Sequence, residues 1–366
     1  MRCPYCDFAT APYARRSAER YVSAVLAEAE RARDSIGGAA FRTLFYGGGT
    51  PSRLEPAEFA RLSSGLAERL DLSCLEETTL EANPEDVLSA RLAAWREGGV
   101  NRLSIGVQSL EAEELERLGR PHGVAGALAA LAAAREHFES WSADLIFGFP
   151  GHAPASWERT LARALEESPP HLSIYHFTPE RGTPMGSAVL AGRVRAPGDD
   201  EAATLFETAA RRLTSRGYRH YEISNYARPG AESKHNGVYW SGAPYWGLGP
   251  GAVSTWNGTR RANVRDAAVY AARMESGTSV VESEEDVRGT AVVESVMMGL
   301  RREEGVRWAE LSRWGAPADG WRRAALAAVE QGWLEADGEG FRMPAGARAL
   351  TDEAAVRLWR AAEAGG

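Results

Sequence analysis

Cysteine is scarce in this chain of 366 residues, with only Cys3, Cys6 and Cys74 present. An odd, sparse set is not the disulfide framework of a secreted domain, so a reducing cytoplasm is the expected setting. No run of about 18 apolar residues occurs, so no transmembrane segment is expected. The N-terminus also lacks an apolar signal-peptide core. Basic charge is not in excess either: 42 Lys and Arg face 50 Asp and Glu, a formal charge of -8. Phosphate neutralisation needs clustered Lys and Arg, so no nucleic-acid binding is expected, although a local basic pocket for an anionic ligand stays open. Internal repeats and low-complexity tracts are missing too. What remains is ordinary globular material, 44% hydrophobic and 25% charged, enough for a sizeable core. The length allows a large domain plus a small one, or two of middle size.

Helical and strand-like patterns alternate along the chain. An amphipathic period covers residues 17–34, and FRTLFY (41–46) reads as a strand running into Gly47, Gly48 and Gly49. A helix pattern runs from Pro56 to about Leu70, and TTLEAN (78–83) is the next strand. Pro84 opens a helix that Gly98 and Gly99 close. NRLSIGV (101–107), helices at 111–118 and 123–138, ADLIFGF (143–149), a helix at 155–167 and HLSIYHF (171–177) continue the series. Five strands, each followed by helix, imply a parallel sheet with helices outside, as an open or closed (β/α) barrel or a doubly wound sheet. Both place ligands beyond the C-terminal strand ends. Residues 47–50, Glu81, Asn83 and Gln108 gather there, with Asp144 at the start of its strand. A further helix is expected at 199–217 and one strand at RHYEISNYA (219–227). Residues 228–262 show no clear period, and a segment that long without one is more often functional than idle. Short helices from about 286 and a hairpin in GWLEADGEGFRMP (332–344) resemble a winged-helix module. The expected divisions are 1–218, 219–285 and 286–366.

Cys3-Pro4-Tyr5-Cys6 offers two soft thiolates, spaced so that both sulfurs reach one metal centre. Alone the pair is a weak signal. A zinc ribbon needs a second pair, Cys74 falls in a helical stretch, and no strand precedes the pair as in a thioredoxin-like motif. The strings that follow it in order are specific. CPYCDF is succeeded by FYGGGTPS (45–52), LEANPE (80–85), LSIGVQS (103–109), LGRPH (118–122), DLIFGFPG (144–151), YEISNYARPG (221–230) and HNGVYW (235–240). Over nearly the whole chain this series resembles the radical-SAM family that contains the HemW haem chaperones and the oxygen-independent coproporphyrinogen III dehydrogenases.

The resemblance implies an α/β fold, a partial (β/α)6 barrel with a small winged-helix-like α+β domain at the C-terminus. It also implies a 4Fe-4S cluster and S-adenosyl-L-methionine (SAM) at the open barrel end. The five strands are then the second to the sixth. The family's C-x3-C-x2-C motif holds the cluster, and Cys3 and Cys6 match its second and third positions. The first cysteine would fall two residues before Met1, so the expectation is a gene start placed inside the motif, with the first strand upstream. Carried over residue by residue, Tyr5 lies near the adenine of SAM, and Gly48, Gly49 and Thr50 lie against its methionine part. Glu81, Gln108, Arg120, Asp144 and Thr178 match further SAM contacts. The residue types suit these tasks. Glycines let a ligand approach unobstructed N–H groups, carboxylates hold an ammonium or ribose hydroxyls, and an Arg fork matches a carboxylate. Singly, each has a plainer reading as a cap, a turn or a strand-end polar group. At successive strand ends they form one set.

The HNGVYW string resembles one in haem-chaperone members. It implies that His235 ligates haem iron as a neutral imidazole, with Tyr239 and Trp240 against the porphyrin; a solvated loop histidine is the alternative. Tyr221, Tyr226, Tyr245 and Trp246 read as core aromatics. The family holds two activities. Dehydrogenases cleave SAM reductively and abstract hydrogen from coproporphyrinogen III propionates, leading to loss of carbon dioxide. HemW-type proteins bind haem and pass it to acceptor proteins. Phe8 stands where dehydrogenases carry a further cysteine, so a non-catalytic haem chaperone is expected and the dehydrogenase is the alternative. The implied partners are haem or a porphyrinogen, haem-accepting proteins and an electron donor protein, with peripheral membrane contact left open. DNA binding through the winged helix runs against the net acidity.

Overall fold

The computed structural model describes residues 2–10, 13–313 and 317–364. Met1, where the cysteine motif is expected to break off, lies outside them. The chain forms two compact units. The first is Met1–Leu205, Trp246–Ser254 and Arg261–Glu284; the second is Phe206–Tyr245, Thr255–Arg260 and Glu285–Gly366.

The first unit opens with α1 (Arg15–Ile36), which ends where Gly37 takes φ 65° and returns its N–H to the Arg33 carbonyl. β1 (Thr43–Tyr46) then leads to α2 (Pro56–Ala67). Pro56 supplies a preset φ, and Glu55 and Glu58 close a reciprocal capping box over the first turn of α2. β2 (Glu77–Ala82), α3 (Ser89–Glu97), β3 (Arg102–Gln108), α4 (Ala112–Arg117), α5 (Gly123–His137), β4 (Ser140–Phe147), α6 (Pro154–Glu166), β5 (His171–His176) and α7 (Pro184–Leu190) complete the alternation. The five strands are parallel and neighbour one another in chain order.

Period-two alternation gives this sheet two unlike faces. Leu80, Leu103, Ile105 and Leu145 expose nothing, and neither do Phe59, Trp95, Leu131 and Trp157 on the helices. Each such side chain contributes roughly 1.5–3 kcal/mol by leaving water. The other face is polar: Thr79 and Glu81 on β2, Ser104, Gly106 and Gln108 on β3, Ser142 and Asp144 on β4, His171 and Ser173 on β5. Asp144 lies in the middle of β4, which starts at Ser140, and not at a strand start as expected. Cys74 is exposed in a turn between α2 and β2, not in a helix.

After α8 (Asp199–Thr214), the second unit holds two short antiparallel strands, β6 (Arg219–Glu222) and β7 (Asn225–Ala227), where one strand was expected. A turn at Ile223 and Ser224 separates them. The stretch without period contains α9 (Lys234–Trp240), β8 (Val253–Trp256) and β9 (Thr259–Asn263), elements too short for a period to register. α10 (Ala267–Ser276), which belongs to the first unit, β10 (Val281–Asp286) and α11 (Ala291–Leu300) follow. β11 (Val306–Arg307), α12 (Trp308–Ser312), α13 (Pro317–Glu330), β12 (Glu335–Ala336), β13 (Gly340–Arg342) and α14 (Thr351–Ala364) make the small α+β end of the chain. Its antiparallel strands run in the order β11-β13-β12, around a core that includes Val296, Leu300, Val306, Leu311, Phe341 and Leu358.

Candidate functional site

Glycine shapes the floor of the site. After β1 the chain turns through Gly48 at φ 99°, and its N–H donates to Glu81 Oε2 at 3.0 Å. A Cβ on Gly47 would lie 2.3 Å from Phe45 Cε1 and 3.1 Å from Glu81 Cδ, so a side chain there would displace the carboxylate. A Cβ on Gly49 would meet the Ala9 carbonyl at 2.9 Å, which shows how closely the cysteine segment lies on this turn. Burial raises the Glu81 carboxyl to about 7; the Gly48 N–H opposes the shift and the Asp144 charge adds to it.

β3 ends on Gln108, a non-glycine residue held at φ 70°. Such a backbone costs of order 1–3 kcal/mol and persists only where its surroundings impose it. Two residues earlier on the same face, a Cβ on Gly106 would sit 2.8 Å from Gln108 Nε2 and 3.2 Å from Arg120 Nη2. Gly106 therefore leaves room for both polar groups. Sequence reading missed it, although RLSIGVQ shows the alternation that would have placed it beside them.

Arg120 ties the parts together. Its Nη2 donates to the Gly106 carbonyl at 2.6 Å and to Asn83 Oδ1 at 2.9 Å, and its Nη1 reaches Cys3 Sγ at 3.6 Å. Burial works against its charge, yet Tyr5, Cys3 and Glu85 hold its pKa above the ordinary value. Its Nε is buried without a hydrogen-bond partner. The cysteine segment itself is well seated. Tyr5 packs on Leu118, Ile146, Phe149 and Phe177, and the Pro4 carbonyl accepts from Met185 N at 2.9 Å. Burial pushes the Tyr5 phenol and the Cys6 thiol up. The Asp144 carboxylate accepts from Ser104 and Ser142, both at 2.7 Å. Thr178 is exposed in the loop after β5, and Thr50 is half-buried before Pro51.

These residues fit SAM. A donor without a partner, a carboxyl close to neutrality and a side-chain-free turn converge where the family's pattern expects the ligand. For the cluster, Cys3 and Cys6 supply two thiolates of the three that the pattern needs. Among the described residues, no group of three or more His, Cys, Asp or Glu is placed to hold a metal ion.

His235 lies in the second unit, on α9 rather than in a loop. Ser233 caps this helix by accepting from Asn236 N. His235 is 9% exposed, its Nε2 is 3.1 Å from the Tyr239 hydroxyl, and the two rings meet edge to face at 5.0 Å. Tyr239 is exposed and Trp240 half-buried. Of the four expected core aromatics, only Tyr226 is buried; Tyr221, Tyr245 and Trp246 are half-buried. Their stretch is built of short elements, which cover large rings incompletely.

Comparison with known proteins bears on the family and the fold. Residues 1–164 match the Radical SAM superfamily. The heme chaperone HemW of Mycobacterium tuberculosis is 34% identical over 356 residues, covering 96% of this chain and 90% of its own length. The Bacillus subtilis protein of the same name is 34% identical over 324 residues, covering 87% of this chain and 85% of its own. Among solved structures, the Escherichia coli coproporphyrinogen III oxidase HemN, a radical SAM enzyme, is similar with a TM-score of 0.82. It covers 98% of this chain and 87% of its own at 21% identity, a likeness of fold.

Proposed function

The chain belongs to the radical SAM superfamily and, within it, to the family of the HemW haem chaperones; from that premise we propose that it binds haem and delivers it to acceptor proteins, with a 4Fe-4S cluster and SAM at the mouth of the parallel sheet. The observation that carries this reading is the 34% identity to a haem chaperone along 96% of the chain, which leaves little of either unit outside the match.

In this reading Cys3 and Cys6 are cluster ligands. Gly48, Gly49 and Thr50 face the methionine part of SAM, Arg120 pairs with its carboxylate, and Tyr5 lies by its adenine. Glu81, Gln108, Asp144 and Thr178 complete the contacts. When bound, cluster and SAM supply one-electron chemistry that side chains lack. An electron donor protein is the partner this implies. The protein's part is to hold the ligand in order: an Arg fork for a carboxylate, N–H groups left bare by glycine, and carboxyls of unequal proton affinity. His235 is the proposed axial ligand to haem. Its Nε2 is the nitrogen beside the Tyr239 hydroxyl, so ligation through that atom requires the pair to separate. No helix among the described residues is long and apolar enough to cross a membrane, and the cytoplasm is the proposed location.

A second reading, an oxygen-independent coproporphyrinogen III dehydrogenase, draws on the HemN-like fold. Against it, the position after the cysteine pair where such enzymes carry another cysteine is Phe8, which is 57% exposed. One experiment separates the two. Titration of the purified protein with haem should saturate at one equivalent, and His235→Ala should weaken binding or alter the Soret band. Turnover of coproporphyrinogen III by the reconstituted protein would overturn the chaperone reading.

A further inference from the structure

Below the mouth, the polar face of the sheet carries a continuous tier of side chains. Register sets Glu81 of β2 beside Ser104 of β3, Ser104 beside Ser142 of β4, and Ser142 beside His171 of β5. One pleat higher, Asp144 lies beside Ser173. Ser142, Ser173 and His171 are 0%, 3% and 1% exposed. Ser104 Oγ donates to Asp144 Oδ2 at 2.7 Å and Ser142 Oγ to Oδ1 at 2.7 Å. Ser142 Oγ is in turn 3.1 Å from Ser173 Oγ and 3.0 Å from His171 Nδ1.

Counting protons orients this chain. A hydroxyl has one proton to give, and Ser142 gives its own to Asp144. The Ser173 hydroxyl gives its own proton to Asp144 as well. Toward His171, Ser142 therefore has only a lone pair, and the ring must donate. That makes His171 the neutral Nδ1–H tautomer, in keeping with burial and the nearby Arg102 charge, which hold its pKa well below the ordinary value. Every donor thus points toward the carboxylate. A protonated Asp144 would bring its own O–H, and one of these hydroxyls would then have to turn from donor to acceptor. Burial raises the Asp144 carboxyl, and the serine hydroxyls and the Arg102 charge oppose the rise. Glu81, the other carboxyl of the mouth, receives one backbone N–H and no serine hydroxyl. The charged and titratable groups facing Asp144 are Glu81 from β2, Arg102 from β3 and His171 from β5.

We propose that Ser104, Ser142, Ser173 and His171 are positioning residues that keep the Asp144 carboxylate ionised and oriented, so that Asp144 is the fixed negative charge of the mouth and Glu81 the carboxyl that takes up a proton. The ligand side of this inference rests on the SAM reading above; the carboxylate side stands without it. Infrared titration of the full chain follows the Asp144 carboxyl, assigned by its loss in Asp144→Asn. In Ser104→Ala/Ser142→Ala the protonation midpoint should rise by roughly one unit or more, since two hydrogen bonds to the charged form are gone. SAM should bind about tenfold more weakly near neutral pH and recover as pH rises. Ser104→Thr keeps the hydroxyl and should keep both properties. Ser104→Ala alone, at the half-buried end of the tier, should shift the midpoint in the same direction by less. An unmoved midpoint in both alanine variants overturns the inference. A shifted midpoint in a protein whose unaltered form binds no SAM upholds the carboxylate device and overturns the SAM reading of the mouth.

Discussion

The mouth of the sheet and the α9 segment hold their polar side chains in opposite ways. At the mouth, Glu81, Arg120 and Asp144 come from separate strands and loops, and backbone groups or serine hydroxyls hold each of them. On α9, His235 and Tyr239 lie one turn apart on a helix of seven residues and hydrogen-bond each other. The first arrangement is ready for a ligand before one arrives. The second must give up an internal hydrogen bond to bind anything through His235 Nε2. Preorganisation lowers the free energy spent on ordering at binding, so the mouth should tolerate little change and α9 more.

The largest effect that sharpens this contrast is expected at Gly106. Gly106→Val puts a Cβ 2.8 Å from Gln108 Nε2, closer than real Cβ contacts come, and 3.2 Å from Arg120 Nη2, so both polar side-chain ends must move. SAM binding by calorimetry should fall more than about 100-fold, while circular dichroism stays near that of the unaltered protein. Retained binding would mean that the mouth adjusts as freely as α9. Next in size is Arg120→Ala, which removes the link among Gly106, Asn83 and Cys3; roughly 30-fold weaker SAM binding is expected. Arg120→Lys should not restore it, because an ammonium cannot span these acceptors as a planar fork does. Residues 2–10 should also become more open to limited proteolysis in Arg120→Ala, and unchanged cleavage would remove the anchoring role.

A smaller effect concerns pH. Burial raises Glu81 from 4.5 to about 7 in the folded state. Between those values the folded protein holds a proton that the unfolded chain has released, so this group's contribution to stability falls as pH rises through the window. Glu81→Gln removes the dependence. Its melting temperature should match that of the unaltered protein near pH 4.5 and exceed it by roughly 3–8 °C above pH 7. A constant difference across that range would show that Glu81 is solvated at the mouth. The smallest change is expected from Tyr239→Phe, which removes the hydroxyl 3.1 Å from His235 Nε2: haem affinity should rise by about two- to fivefold, opposite in sign to His235→Ala. Equal weakening by both substitutions would break the comparison, since His235 and Tyr239 would then bind haem as a preorganised pair.

Much of the mouth was legible from residue order. Strand ends announced themselves by apolar runs closing in Gly or polar residues, and Gly48, Gly49, Glu81 and Gln108 fall at or near those ends, whereas Asp144 lies mid-strand and Cys3, Cys6 and Arg120 lie outside the strands. Thr178 was named on resemblance alone, and it stands exposed after β5. Ser104, Ser142 and His171 were passed over because serine and histidine inside an apolar strand look like interruptions. Only when parallel register brings three strands side by side do they become one tier under Asp144. The α9 segment was read as a loop because seven residues are too few for a helical period to show.

The alternation of strand and helix, and with it the parallel sheet, was decided by the sequence itself, because hydrophobic period and the placement of Pro and Gly act locally. So was the stock of chemistry: two thiolates, a glycine turn, one well-placed arginine and a scatter of carboxyls. Tertiary structure alone decided which of those groups is charged, which is paired and which is free. Proton affinity and hydrogen-bond direction depend on what lies across the strand or beneath the pleat. Those neighbours are set by register between segments far apart in the chain, which no local pattern encodes.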